Sequence, residues 1–260
     1  MDPTSPKPTI VFVPGAWHTP AHYEEMLDLL QNAGYPTKSI NLPSVNATHP
    51  HRQTLAADVD AVRESLLKLV DQGKEVILLM HSYGGCPGGA AAKGLSRMER
   101  SRPGAVVGLL FLSAFLVQEG HSVVQTAGGK LNDWVIDQGD GQLNVRNPIE
   151  VFYHDVPTDK ATEAASGIQI HALESMITPS PPTAWTDSAF HGRRGYVMTT
   201  QDRALPFLGQ DIMLKLSGME WALREIETSH SPFLSRPGEL VDHVLSIIGC
   251  FETEAINTPR

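Results

Sequence analysis

Short, continuous apolar runs alternate along this chain with longer amphipathic stretches, and few folds can accommodate that pattern. Residues 9–13 and 37–42 are strand-like and are followed by helical patterns over 21–33 and 54–70. In the second helical stretch Leu55, Val59, Val62, Leu66 and Leu69 recur at spacings of three and four, which makes one apolar stripe. Residues 75–80, apolar after Glu75, and residues 105–112 form near-continuous apolar runs, as expected of strands buried on both faces of a parallel sheet. Strand-like runs return at 195–200 and 222–227, and a helical pattern covers 237–248. Strand and helix in alternation predict an α/β fold with a mostly parallel central sheet flanked by helices.

Between the two groups of strands the pattern breaks. Residues 117–192 have little strand character, short helical pieces such as 159–176, and prolines at 179, 181 and 182. An insertion after a central strand, at the sheet edge where ligands bind in open α/β folds, reads as a helical cap. The expected organisation is a core of residues 1–116 and 193–260 carrying a cap over 117–192.

Composition removes several function classes. Twenty Lys and Arg against 29 Asp and Glu give a net charge of -9, with no basic stripe to neutralise phosphates, so nucleic acid is not an expected partner. The longest apolar run, 105–117, is shorter than the roughly 20 residues of a membrane span, so no membrane association is expected either. The N-terminal nine residues hold three prolines and no export-like apolar segment, and only Cys86 and Cys250 carry thiols. Together these predict a cytoplasmic protein acting on a small molecule, with self-association into a homodimer left open. The histidines show no metal-ligand spacing with carboxylates, so neither metal nor cofactor is expected; His18, His22, His121, His154, His171 and His243 read as structural or cap residues.

The chemistry concentrates where the run 76–80 ends, in Met80-His81-Ser82-Tyr83-Gly84-Gly85 followed by the small residues 90–94. Strand, sharp turn and helix are what a nucleophile elbow needs, with the serine hydroxyl raised above the sheet and the next backbone N–H turned toward a developing oxyanion. Gly84 and Gly85 let helix and strand approach. Met80 departs from the pattern, which has glycine there. The alternative is an ordinary strand-to-helix turn with a capping serine.

A serine hydroxyl needs a histidine to take its proton and a carboxylate to orient that histidine. Asp202 follows the strand-like run 195–200, and His230 follows the run 222–227. The order Ser82, Asp202, His230 on three strand ends is one of the established triad orders. Taken singly, Asp202 could be a solvated partner of Arg203 and His230 a surface histidine. The loop after the first strand, Pro14-Gly15-Ala16-Trp17, would supply the second oxyanion donor, so the hole is assigned to the main-chain N–H groups of Ala16 and Tyr83. Trp17, Phe115, Trp134, Phe152, Met176 and Trp185 are the candidate substrate-binding residues, suited to an apolar or aromatic ligand. The thiol of Cys86 reads as a small buried hydrophobe rather than a nucleophile.

Nearly end to end, and most tellingly over residues 11–17, 81–85, 196–206 and 229–237, the chain resembles the α/β-hydrolase fold group that includes plant hydroxynitrile lyases, plant methyl esterases and many microbial esterases. That resemblance implies a serine hydrolase cleaving a carboxylic ester or lactone through an acyl-enzyme. The lyases of this group carry a Lys directly after the triad histidine and a Thr in the first-strand loop; Ser231 and Gly15 stand at those places here. Ester hydrolysis is therefore favoured over cyanohydrin cleavage. Two alternatives stay open: the same triad used for lactonisation, cyclisation or C–C cleavage of a polyketide-like metabolite, and a hydrolase-fold ligand receptor.

Overall fold

The computed structural model describes residues 6–257. The N-terminal stretch read as lacking an export segment therefore lies partly outside the described residues, as does the end of the second core segment. The chain runs β1 (Thr9–Val13), α1 (Glu24–Asn32), β2 (Thr37–Ser39), α2 (Leu55–Val70), β3 (Glu75–His81), α3 (Gly85–Ala91) and β4 (Ala105–Leu112). It then continues through α4 (Val123–Thr126), β5 (Val135–Asp137), β6 (Gln142–Val145), α5 (Pro148–Phe152), α6 (Thr158–Gly167), β7 (His171–Ala172) and α7 (Leu173–Ile177). It closes with β8 (Arg194–Thr199), α8 (Phe207–Ser217), β9 (Ala222–Ile226), α9 (Pro232–Ser235) and α10 (Pro237–Asn257).

The core sheet has six strands in the order β2-β1-β3-β4-β8-β9, and every pairing is parallel. Every residue of β1, β4 and β8 is buried, and β3 is buried from Val76 on. The continuous apolar runs thus occupy central positions covered on both faces by helices. The strand expected over 37–42 ends at Ser39, at the edge of the sheet, though the Ile40 amide still donates to the Phe12 carbonyl of β1 at 3.0 Å.

The inserted segment corrects two expectations. It is not purely helical, since β5, β6 and β7 form a second, antiparallel sheet. These strands are two to four residues long, and β5 is largely exposed, so they leave no two-residue apolar periodicity to read. Asp137 and Asp140 fix the hairpin by accepting the amides of Gly139 and Gln142 at 2.9 and 3.1 Å. The helical stretch expected over 159–176 breaks at Gly167, because His171 and Ala172 pair with β6 and Val45 bridges to His171. That bridge pins the insertion to the loop after β2.

Candidate active site

The elbow is built as its residues require. β3 ends at His81, and Ser82 adopts φ +54°, a left-handed conformation that a non-glycine residue holds only where its surroundings impose it. A short 3₁₀ turn over Ser82–Gly84 leads into α3. A Cβ at Gly84 would lie 2.5 Å from the carbonyl oxygens of Val13 and Pro14, so only glycine lets the turn approach the loop after β1. The Ser82 carbonyl accepts the amide of Phe115 at 3.0 Å, which fastens the turn to the end of β4.

The structure also explains Met80. A Cβ built on Gly88, one turn into α3, would lie 2.6 Å from the Met80 sulfur and 2.7 Å from its Cγ. Gly88 vacates the volume that the pattern's missing glycine would have left empty. In open space Gly→Ala within a helix would gain about 1 kcal/mol. Here overpacking should reverse the sign, so Gly88→Val is expected to lose about 1–3 kcal/mol in urea titration. Truncating Met80 to Ala should recover part of that loss in the double variant. Additive losses would mean the two residues do not share this space.

Asp202 sits just past β8 with both carboxylate oxygens occupied. Oδ1 accepts the amides of Ala204 and Leu205 at 2.8 Å each, while Oδ2 accepts the Thr199 hydroxyl at 2.7 Å and the Gln210 amide at 3.4 Å. His230 Nδ1 meets the same Oδ2 at 2.7 Å, with both side chains essentially inaccessible to solvent. An ionised carboxylate only accepts, so Nδ1 is the donor of this pair, and in the neutral imidazole that leaves Nε2 as the acceptor. The strand ends thus bring His230 and Asp202 together and place His230 on the same cavity as Ser82.

A buried network that the sequence reading missed ties three loops together. The Gly15 amide donates to the Tyr23 hydroxyl at 3.1 Å, Tyr23 donates to His81 Nδ1 at 2.9 Å, and His81 Nε2 donates to the His230 carbonyl at 3.0 Å. Burial first, and then the repulsion a positive charge here would meet from a protonated His230 or His18, holds His81 well below the ordinary imidazole range, so it stays neutral and keeps one donor and one acceptor. His18 is likewise buried and held low by burial first; Nδ1 lies 2.7 Å from the Ala16 carbonyl and Nε2 2.7 Å from the Tyr153 hydroxyl. His18 also borders the cavity that Ser82 and His230 line. Burial pushes the Cys86 thiol up to about 12, leaving it protonated at neutral pH.

The cavity over Ser82 has about 580 Å³ of empty space, its open mouth included. It is a narrow slot. Ala16 and Tyr83 border it beside Ser82, and so do Trp17, Phe115, Trp134, Phe152 and Met176. Trp17 is turned there by a positive φ of 63°, and its indole N–H donates to the Leu143 carbonyl at 3.1 Å. Trp17, Trp134 and Phe152 form a three-ring cluster with centroids 5.5, 5.4 and 6.1 Å apart. Trp185 is the exception: it is 1% exposed, packs over Gly89 of α3 with its ring 6.5 Å from Trp221, and does not reach the cavity. Its ring fills the interface between α3 and the end of the insertion. Val123, Leu131, Leu143 and Leu205 also line the slot, and aliphatic side chains of this kind carry no motif by which a sequence could single them out.

Among the described residues no group of three or more His, Cys, Asp or Glu is placed to hold a metal ion, and no helix is long and apolar enough to cross a membrane.

Residues 10–243 match the sequence model of the alpha/beta hydrolase family. The chain is 29% identical over 248 residues to the alpha/beta hydrolase nvfD of Aspergillus novofumigatus, covering 94% of this chain and 97% of that one. It is 24% identical over 259 residues to Methylesterase 18 of Arabidopsis thaliana, covering 90% and 95%. Among solved structures, a pyrethroid hydrolase from Sphingobium faniae JZ-2 superposes with a TM-score of 0.74 at 22% identity, covering 92% of this chain and 96% of that one.

Proposed function

The chain belongs to the alpha/beta hydrolase family, and from that premise we propose that it is a serine hydrolase cleaving a carboxylic ester or lactone of a small apolar or aromatic molecule. The observation that carries this reading is the His230–Asp202 pair at 2.7 Å, opening on the same slot as a serine held at positive φ. The name of the methylesterase relative agrees with it.

In this reading the Ser82 hydroxyl oxygen attacks the carbonyl carbon and its proton passes to Nε2 of His230, whose cationic form Asp202 stabilises. The amides of Ala16 and Tyr83 hold the negative oxygen of the tetrahedral intermediate. Collapse breaks the bond to the alkoxy group, which leaves with the proton from His230, and an acyl-enzyme on Ser82 remains. Water repeats the sequence and frees the acid. Residues 117–192 act as the cap, and the Trp17, Trp134 and Phe152 rings favour flat or apolar groups because polar ones would lose hydration in the slot without a partner. The reading needs no metal or cofactor, and the setting is cytoplasmic.

Gly15 and Ser231 argue against cyanohydrin cleavage. A Cβ at Gly15 would lie 2.9 Å from His81 Nδ1 and 3.0 Å from the Ser82 Cβ, so a threonine has no room there. Ser231 offers no charge to departing cyanide. Wild-type protein should hydrolyse p-nitrophenyl acetate and release no cyanide from mandelonitrile above the buffer rate. Cyanide release that disappears on replacing Ser82 or His230 would overturn the hydrolase reading, and the absence of any ester turnover would do the same.

A further inference from the structure

The reaction above uses only the backbone of Tyr83, yet its side chain is held on two sides. The ring is fully buried, and the hydroxyl donates to Oδ2 of Asp58 at 2.5 Å. Asp58 lies in α2 and is itself fully buried; its Oδ1 accepts the amide of Ser44, from the loop after β2, at 2.9 Å. Burial raises the Asp58 carboxyl to about 6 against the hydrogen bonds from Ser44 and Tyr83, and it pushes the Tyr83 hydroxyl well up. Opposite, the ring of His171 stands edge-on to Tyr83 at 4.9 Å and 76°, with Nε2 2.9 Å from the Ser175 hydroxyl, which donates to the Ala172 carbonyl at 2.8 Å. Tyr83 is therefore gripped between α2 and the inserted segment.

A buried carboxylate is an expensive way to fill space, and an apolar pair would pack α2 against the elbow at less cost. What the pair adds is geometric. Ser82 and Tyr83 share one peptide group, and its N–H is an assigned oxyanion donor. Rotation of that peptide is resisted only where neighbours fix it, because Ser82 sits in a strained region of φ. We propose that Asp58 is a positioning residue that acts through the Tyr83 hydroxyl to keep the Tyr83 amide aimed at the oxyanion. This rests on the hydrolase reading.

An interaction that tightens as the oxyanion forms appears in kcat rather than in KM. The test compares Asp58→Asn, Tyr83→Phe and the double variant with wild type and Ser82→Ala, all full-length. It follows kcat and KM for p-nitrophenyl acetate and the rate of Ser82 phosphonylation by a fluorophosphonate. Each single variant should lose about tenfold to a hundredfold in kcat and in phosphonylation rate, with KM within about threefold. The double variant should be no worse than the poorer single one, since the two side chains act as a unit.

Asn matches Asp in shape and Phe keeps the ring, so either variant that folds by far-UV circular dichroism gives the answer. Wild-type kcat in either single variant, losses that multiply in the double, or a loss confined to KM would each overturn the proposal. Failure of both variants to fold would overturn it too, by making the pair structural. Wild-type turnover that survives Ser82→Ala sinks the hydrolase reading itself; Ser82-dependent turnover untouched by Asp58→Asn sinks only this inference.

Discussion

If the chain works by the reaction proposed above, Ser82→Ala is expected to lower kcat for p-nitrophenyl acetate by on the order of 10⁶ and to abolish fluorophosphonate labelling, because that reaction is then left with its proton acceptor and oxyanion donors but nothing to attack. Cys86→Ala should label like wild type, since a buried thiol raised to about 12 supplies no thiolate. Persistent labelling of the Ser82→Ala protein would remove the assignment. Backbone strain gives a second signature. Ser82 stands at φ +54°, so Ser82→Gly should be as inactive as Ser82→Ala yet more stable than it by about 1 kcal/mol in urea titration, the difference coming from the relief of a left-handed conformation. Equal stabilities would mean that the strain is not stored there.

Asp202→Asn is expected to lower kcat by about 10⁴, through the tautomer of His230 rather than through lost charge alone. The amides of Ala204 and Leu205 both point at Oδ1 and cannot turn away, so the asparagine carbonyl must take that position. Its NH₂ then faces His230 Nδ1, the Thr199 hydroxyl and the Gln210 amide, which in the wild type all donate. His230 can accept from the new NH₂ only by moving its own proton to Nε2, and it then has no lone pair for the Ser82 proton. The kcat loss should persist across pH, and stability should fall by about 1–3 kcal/mol as donors lose their acceptor. A kcat loss under tenfold would point to another carboxylate. The two acidic side chains nearest in sequence are already engaged elsewhere, Asp187 by Lys93 and Asp211 by Lys215 at 2.6 Å.

Much of the framework is legible in the sequence because its causes are local. A strand covered on both faces tends toward a continuous apolar run, so residues 105–112 announce β4 to the residue. The elbow is legible because its glycines follow from close approach at adjacent positions, and the Ser–Asp–His order because parallel strands deliver their C-terminal loops to one edge. Met80 shows the limit of such reading: it departs from the elbow pattern, and the glycine that accommodates it lies eight residues on, in a different element.

By itself, then, the sequence determined the α/β architecture and which three strands Ser82, Asp202 and His230 follow, since periodicity and turn chemistry act over a few residues. The tertiary structure decided everything that depends on distance between remote segments. It separated Trp185, an interface ring, from Trp17, which shares a hydrogen bond with the distant Leu143. It gave the insertion a sheet whose strands are too short to show a period, and it set Asp58 against Tyr83 and His81 against His230. A buried carboxylate or imidazole looks the same in a sequence as a solvated one, and only the fold supplies the partner that makes its burial tolerable.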